Sequence, residues 1–580
     1  MNGGIGVKLN ISCCMFGNFF QKIDKFFFLI IVLASVLRFS NLTYAPPSLN
    51  WDEVSHGYNA YSILMTGKDE WGVAFPSIFR AYGDYKLPVY IYGTAVSEKI
   101  FGLSDFAVRL PSALAGIGTV IFTYFLVLEL FRKKYIANLS AFLVAVEPWS
   151  LFLSRGAFEA NLALFFIVSG VYFFLKAVSS FQYTKYYILS TVLFGLSVWT
   201  YNSARVFVPI LLIVLILMYF SELKSLFRKN KKLLIINFSI LVIFFVPMFI
   251  QLLQPAGQAR YGKVSIINEG TIAAINQARG SSKLPGIINK LANNKVTYFT
   301  EHFAINWASH YSGNFLFFEG GSDYQFSIPS RGIIYFIDII PLIIGLLSLV
   351  FKRSKSGNLL LAWFLLSPIP SALTNEAPQV LRAIVMLPIP MIITALGMDK
   401  IAGWLKQRFS ISGTVATVFY VIIIFGFLEN YLTTYFTEYR TNYSWSWQYG
   451  YEQVVDYAKS HYSDYDKIII TKKYGEPHEF FLFFMSWNPA KYQNDPNKIT
   501  FFQSDWYWVD RFDKFYFVND WQIPRSGTDF IQESKNTVHC PPFAVHCLLI
   551  TSPGNYPAGW KKLDTVNFLD GSTAFEIYAN

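Results

Sequence analysis

Charge is scarce in this sequence. Only 15% of its 580 residues are Asp, Glu, Lys or Arg, where soluble domains carry about 25%. With a mean hydropathy of +0.36, that excludes an ordinary soluble enzyme. Cysteine is scarce as well, at four residues. Cys13 and Cys14 are adjacent and cannot readily pair with each other, whereas Cys540 and Cys547 are close in sequence and would be free to pair if the C-terminal end lies outside the cell. The two further ligands that a zinc set at these cysteines needs are missing. No P-loop, HExxH or GxSxG motif is present, nor a cytoplasmic domain to hold a nucleotide sugar. Internal repeats, low-complexity tracts and the inverted repeat of many transporters are also missing.

What is abundant is apolar and aromatic. Aromatic residues make up 18% of the chain, led by 57 Phe, which suits lipid-facing helices and interfacial belts. Apolar runs of roughly 17–25 residues recur, each long enough to cross a bilayer core. The first has no cleavage pattern after it and reads as a retained span. The net charge of +11 sits in short basic clusters between apolar runs, the pattern of cytoplasmic loops and not of a nucleic-acid surface. The clusters are Lys22/Lys25, Arg132 to Lys134, Lys176/Lys185, Lys224 to Lys232, Lys352 to Lys355, and Lys400/Lys406/Arg408.

Parity then orders the chain. Between Lys25 and Arg132 the number of crossings must be even. Of the runs 26–40, 88–103 and 110–131, the middle one is short and broken by Ser97-Glu98-Lys99, so it reads as an interfacial helix. Further spans fall near 135–153, 160–178, 187–201, 206–221, 233–253, 332–351, 358–373, 379–398 and 412–434. The expected fold is a polytopic α-helical membrane protein of about eleven transmembrane helices. Residues 1–434 form the membrane domain, with external loops at 41–109 and 254–331, and 435–580 form an extracytoplasmic α/β domain. In that tail, Lys467 to Thr471, Phe515 to Val518, Cys547 to Thr551 and Ala574 to Tyr578 read as strands, and Glu476 to Trp487 as a helix.

The polar stretch 50–88 carries the chemistry. Asp52 and Glu53 open a short amphipathic helix beside a span. A carboxylate there can act as a general base for a hydroxyl, or the pair can simply favour a helix start. Lys86 can hold a phosphate or snorkel to headgroups. Glu159, Arg205 and Arg382 each open a span from the same side. Arginines on external turns run against the usual charge bias, and beside an acidic loop they suggest an anion site.

Five elements carry a family resemblance: Asp52-Glu53, Asp84-Tyr85-Lys86-Leu87-Pro88, Phe101 through Pro111, Ser154-Arg155 through Glu159, and Arg382 with Leu387-Pro388-Ile389-Pro390. In this order the chain resembles the GT-C glycosyltransferases that use polyprenyl-phosphate sugars. It is most similar to the protein O-mannosyltransferases of glycosyltransferase family 39 and the aminoarabinose lipid A transferases. The resemblance spans residues 26–434. It departs at Tyr85, which separates Asp84 from Lys86, at Leu87 before Pro88, and at Glu159, where many relatives have Asp.

The resemblance implies transfer of a sugar, with inversion, from a polyprenyl-phosphate donor to an acceptor hydroxyl on protein, lipid or glycan at the outer face of the cell membrane. It makes Asp52 the base, supported by Glu53, with Glu159 lining the acceptor side. Lys86, Arg205, Arg260 and Arg382 would bind the donor phosphate, with Lys263 in reach and with Asp84, His56 and Tyr85 in support. No cofactor is required by this scheme, although Asp52, Glu53 and Glu159 could hold a divalent cation. The expected partners are the lipid donor, the acceptor and the bilayer, without nucleic acid, and the N-terminus is cytoplasmic. A lipid-linked sugar flippase, or a ligase or polymerase moving a whole glycan, would share much of this pattern.

Overall fold

A computed structural model describes residues 24–179 and 185–580. Cys13, Cys14 and Lys22 lie outside the described residues. The apolar runs fold as helices. Five of them are long and apolar enough to cross a membrane: Asp105–Phe131, Glu159–Ser179, Lys231–Leu252, Ile384–Phe409 and Gly413–Asn442. The pair Asn202–Met218 and Phe220–Lys229, bent by 80°, would make a sixth. Shorter apolar helices include Lys25–Phe39, Lys134–Val146 and Lys185–Val198.

Several expected spans are broken, and proline explains the breaks. The run 135–153 divides at Glu147-Pro148 into Lys134–Val146 and Pro148–Leu153. The run 358–373 divides around Pro368 into Lys355–Leu366 and Ile369–Ala372. The next helix is regular only from Ile389, just after Pro388. Proline lacks the donor for the preceding turn but fits the first turn of a new helix.

Two buried arginines hold the membrane helices to the first loop. Arg155 donates to the carbonyls of Leu37, Ser40, Asn41 and Ala45. It thereby satisfies carbonyls that the end of the Lys25–Phe39 helix leaves open. Arg109 is fully buried and donates to the carbonyls of Leu42, Pro46 and Ser48. Arg155 sits on a turn and Arg109 in the first turns of the Asp105–Phe131 helix, and both serve as scaffold.

The first loop forms the helices Trp51–Thr66 and Pro88–Phe101. The tail folds into a seven-stranded mixed sheet in the order Lys561–Asn567, Thr573–Ala579, Cys547–Thr551, Lys467–Thr471, Phe515–Val518, Trp506–Phe512 and Ile499–Gln503. Its central strand, Lys467–Thr471, runs parallel to both neighbours. It is buried along almost its whole length, as a two-sided parallel strand must be. Cys540 and Cys547 are joined in a disulfide.

The sheet domain packs directly on the first loop. Val54 and Tyr58 share one apolar core with Phe480, Phe481 and Phe483. The approach is so close that a Cβ on Gly57 would lie 2.4 Å from the Phe483 ring. Gln493 adds bonds to Ser62 and to the Asp69 carbonyl.

Candidate active site

The Trp51–Thr66 helix begins with a reciprocal cap. The Asn50 side chain accepts from the Glu53 backbone N–H at 2.9 Å, and a Glu53 carboxylate oxygen accepts from the Asn50 N–H at 3.1 Å. Two orphan donors of the first turn are thereby satisfied. Glu53 also takes both forks of Arg109 at 3.0 Å and the Ala157 N–H at 2.8 Å. Its oxygens are fully committed and its side chain is only 1% exposed. Glu53 therefore leaves the catalytic group and joins the scaffold. It is also not free to complete a cation site with Asp52 and Glu159.

Asp52, one residue earlier, points the other way. Its side chain is 41% exposed toward a cleft and sits 2.7 Å from Lys86. The acidic pair thus divides: one member holds the helix start and the other faces the cavity. The short antiparallel pairing of Phe79–Arg80 with Tyr85–Lys86 presents the lysine.

The cleft has a volume of about 480 Å³. Residues far apart in sequence converge on it. Asp52, Asp84, Tyr85 and Lys86 of the first loop line it, and Glu159, Arg205, Arg260, Lys263 and Arg382 contribute from other segments. His56 is the exception: it is buried on the inner side of the helix, its ring 5.2 Å from that of Tyr90, and not on the cavity. Burial, followed by the charge of Lys86, pushes its imidazole down to about 4, so it is neutral at physiological pH.

Cations and acids are paired across the cavity. Arg260 binds Asp84 at 3.1 Å. Arg382 binds Glu376 and, at 3.0 Å, the Thr374 hydroxyl. Arg205 donates to the Val198 carbonyl and to Gln251 and has no ion pair among the described residues. The protein around the cleft would by itself raise the Asp52 carboxyl even though its side chain opens on the cavity, but the adjacent Lys86 holds it below its ordinary value. Burial works against the Lys86 charge, yet Asp52, Asp84 and Glu159 around it raise its pKa.

One cleft residue comes from the tail and was not legible in the sequence. Trp506 stacks on Tyr82 with ring centroids 5.9 Å apart, and the Lys263 ammonium lies 4.6 Å over its ring. Trp506 sits among several tail aromatics, so nothing local marks it out. Glu376 and Gln379, also on the cavity, precede Arg382 in the same turn and were not singled out.

The described chain is mainly helical with several apolar spans, its sheet domain packs on the first loop, and the charged cleft is lined by that loop, by segments of the helical region and by Trp506. Residues 86–250 match the family model for dolichyl-phosphate-mannose-protein mannosyltransferase. YkcB of Bacillus subtilis (strain 168), whose name assigns it mannosyl transfer, is 32% identical over 93 residues, covering 16% of this chain and 13% of YkcB. Among solved structures, ArnT from Cupriavidus metallidurans in its apo state aligns over 98% of both chains at 10% identity and a TM-score of 0.50. The same protein bound to undecaprenyl phosphate aligns over 95% of this chain and 97% of ArnT, at 11% identity and a TM-score of 0.50. The oligosaccharyltransferase AglB from Archaeoglobus fulgidus aligns over 79% of this chain and 62% of that chain, at 14% identity and a TM-score of 0.47. Residues 86–250 are thus similar to a mannosyltransferase family, the chain matches only a small part of YkcB, and its fold is similar to that of ArnT.

Proposed function

We propose that the protein transfers a sugar from a polyprenyl-phosphate donor to an acceptor hydroxyl at the outer face of the membrane. The observation that supports this best is the Asp52–Lys86 pair at 2.7 Å on a cavity lined by further arginines from distant segments. The family match to a lipid-phosphate mannosyltransferase and the ArnT structure with undecaprenyl phosphate point the same way.

In this reading residues 1–434 are the membrane unit, with about eleven crossings, and 435–580 face outward with the first loop. The donor phosphate takes Lys86 and draws it from Asp52. Asp52 then accepts the acceptor hydroxyl proton as that oxygen bonds to the anomeric carbon from the face opposite the phosphate. The bond from that carbon to the phosphate oxygen breaks with inversion. The electron pair stays on the departing lipid phosphate, which Lys86, Arg260 and Arg382 stabilise as preorganised charges. Side chains alone fill the cationic role, so no cofactor is needed. Glu159 lines the acceptor side.

Purified protein in vesicles should consume a radiolabelled polyprenyl-phosphate sugar when an acceptor is present. Movement of the lipid across the vesicle wall with no donor consumed would overturn the reading in favour of a flippase. Orientation has its own check. Lys68 is exposed on the first loop, so Lys68→Cys in intact cells should react with an impermeant maleimide. Reaction only after lysis would invert the topology.

The pH dependence follows from the ion pair. The base form of Asp52 is the deprotonated one, and activity falls as pH drops through its pKa. Lys86 holds that pKa low in the free enzyme, so the acid limb of kcat/KM should lie below the ordinary carboxylate range, near 4. In the donor complex the phosphate shares Lys86, so the limb of kcat should lie higher. Coincident limbs would mean that the phosphate does not engage Lys86.

A further inference from the structure

Among the described residues, Glu70, His478 and Glu479 are the one group of His, Cys, Asp or Glu side chains whose potential ligand atoms cluster, all within 4.8 Å of one another. Glu70 follows the Trp51–Thr66 helix, and His478 and Glu479 lie on the first turn of Pro477–Phe484 in the sheet domain. None of the three lines the active-site cleft. We propose that they form a divalent-cation site, suited to Zn²⁺, that ties the first loop to the sheet domain.

The argument is one of satisfaction. All three side chains are almost completely buried. Yet Glu70 Oε2, both ring nitrogens of His478 and the Glu479 carboxylate form no well-aligned hydrogen bond, with only the facing Glu70 carboxyl and the Ser55 hydroxyl beside Glu479. Buried polar groups in native proteins are paired, and unpaired ones are costly. A proton shared between Glu70 and Glu479 would satisfy the acids but would leave His478 Nε2 without a partner, its Nδ1 facing only Glu476 at 3.5 Å. One cation satisfies all three residues at once.

The surroundings also fit. Glu70 Oε1 accepts from the Asn59 amide at 3.2 Å, and its backbone N–H donates to the Asn59 oxygen at 3.2 Å. That holds Glu70 with its other oxygen toward the cluster. His478 Nε2 lies 3.7 Å from a Glu479 oxygen, while Nδ1 faces a Glu476 oxygen at 3.5 Å. A ligating histidine backed by a carboxylate on its other nitrogen is the usual outer-shell arrangement at zinc. Tetrahedral zinc with bonds of 2.0–2.2 Å needs ligand atoms roughly 3.3 Å apart, so small rotamer shifts close the site. One imidazole and two carboxylates, with no sulfur, favour a borderline cation over a thiophilic one, and the nitrogen disfavours Ca²⁺ and Mg²⁺. Water would take the fourth position.

The test uses tag-free full-length protein in detergent, loaded with Zn²⁺ and washed. Elemental analysis should find one zinc per chain, and zinc-edge X-ray absorption should show nitrogen and oxygen neighbours only. His478→Ala and Glu70→Gln should each lose the metal, whereas Asp52→Asn should keep it. EDTA should lower the thermal midpoint of the wild type, with recovery on zinc addition. If His478→Ala does not fold, the wild-type metal count and Glu70→Gln decide. A wild type that stays metal-free after loading overturns the proposal, as does zinc retained by Glu70→Gln or lost from Asp52→Asn.

Discussion

Asp52→Asn is expected to bind the lipid donor at least as well as the wild type and to fail to transfer from it. Asn has the shape of Asp but accepts no proton, and loss of a positioned general base lowers kcat by about 10²–10⁴-fold. The same change removes the anion that competes with the donor phosphate for Lys86, which sits 2.7 Å from Asp52. Donor affinity should therefore hold or rise. Lys86→Ala should behave differently. It removes a charge from the departing phosphate, a loss of about 10²–10³-fold for one such stabilising group, and it weakens donor binding too. It also leaves Asp52 without its main counter-charge, so the burial that opposes ionisation goes unanswered and the acid limb moves up. Donor binding measured with labelled lipid, beside single-turnover transfer, separates the two variants. Transfer by Asp52→Asn at the wild-type rate would remove Asp52 as the base.

The contrast between these two residues and their neighbours shows what could be read in advance. Apolar runs dictate helices by length and composition, so the expected 26–40 appears as Lys25–Phe39 and the expected 412–434 as Gly413–Thr434. The isoleucines of Lys467 to Thr471 specify a two-sided buried strand, and that strand forms at the centre of the sheet. Prolines shift span ends because their effect depends on whether the chain restarts a helix, which a hydropathy window does not register. The candidate site was legible where charge stood out against an apolar background. Asp52, Lys86, Glu159, Arg205, Arg260 and Arg382 all reach one cavity. Trp506 was not legible, because one tryptophan among many in a polar tail carries no local mark. His56 lies next to the site in sequence, yet the helix turns it inward. Glu53 and Arg109 were the hardest case. Their bond joins residues 56 positions apart, and no local pattern announces a partner at that distance.

That bond is the basis of the second large effect. Glu53→Gln should destabilise the protein by about 3–5 kcal/mol, the loss seen when one member of a buried ion pair is removed and the other is left uncompensated. Arg109→Met should cost more, because the carbonyls of Leu42, Pro46 and Ser48 lose their donor with it. The double variant should be less damaging than the sum of the two, with coupling of about 0.5–3 kcal/mol between contacting partners. Once Glu53 is neutral, losing the arginine strands no charge. Activity should fall in all three variants, since the pair sets the start of the helix that aims Asp52 and, through the Ala157 N–H, the turn that precedes Glu159. Thermal unfolding in detergent, read beside transfer rates, tests the assignment. A Glu53→Gln protein with a wild-type midpoint and no transfer would return Glu53 to the chemistry. A lowered midpoint, with transfer partly restored on cooling, is the result expected of a residue that holds the first loop against the membrane helices.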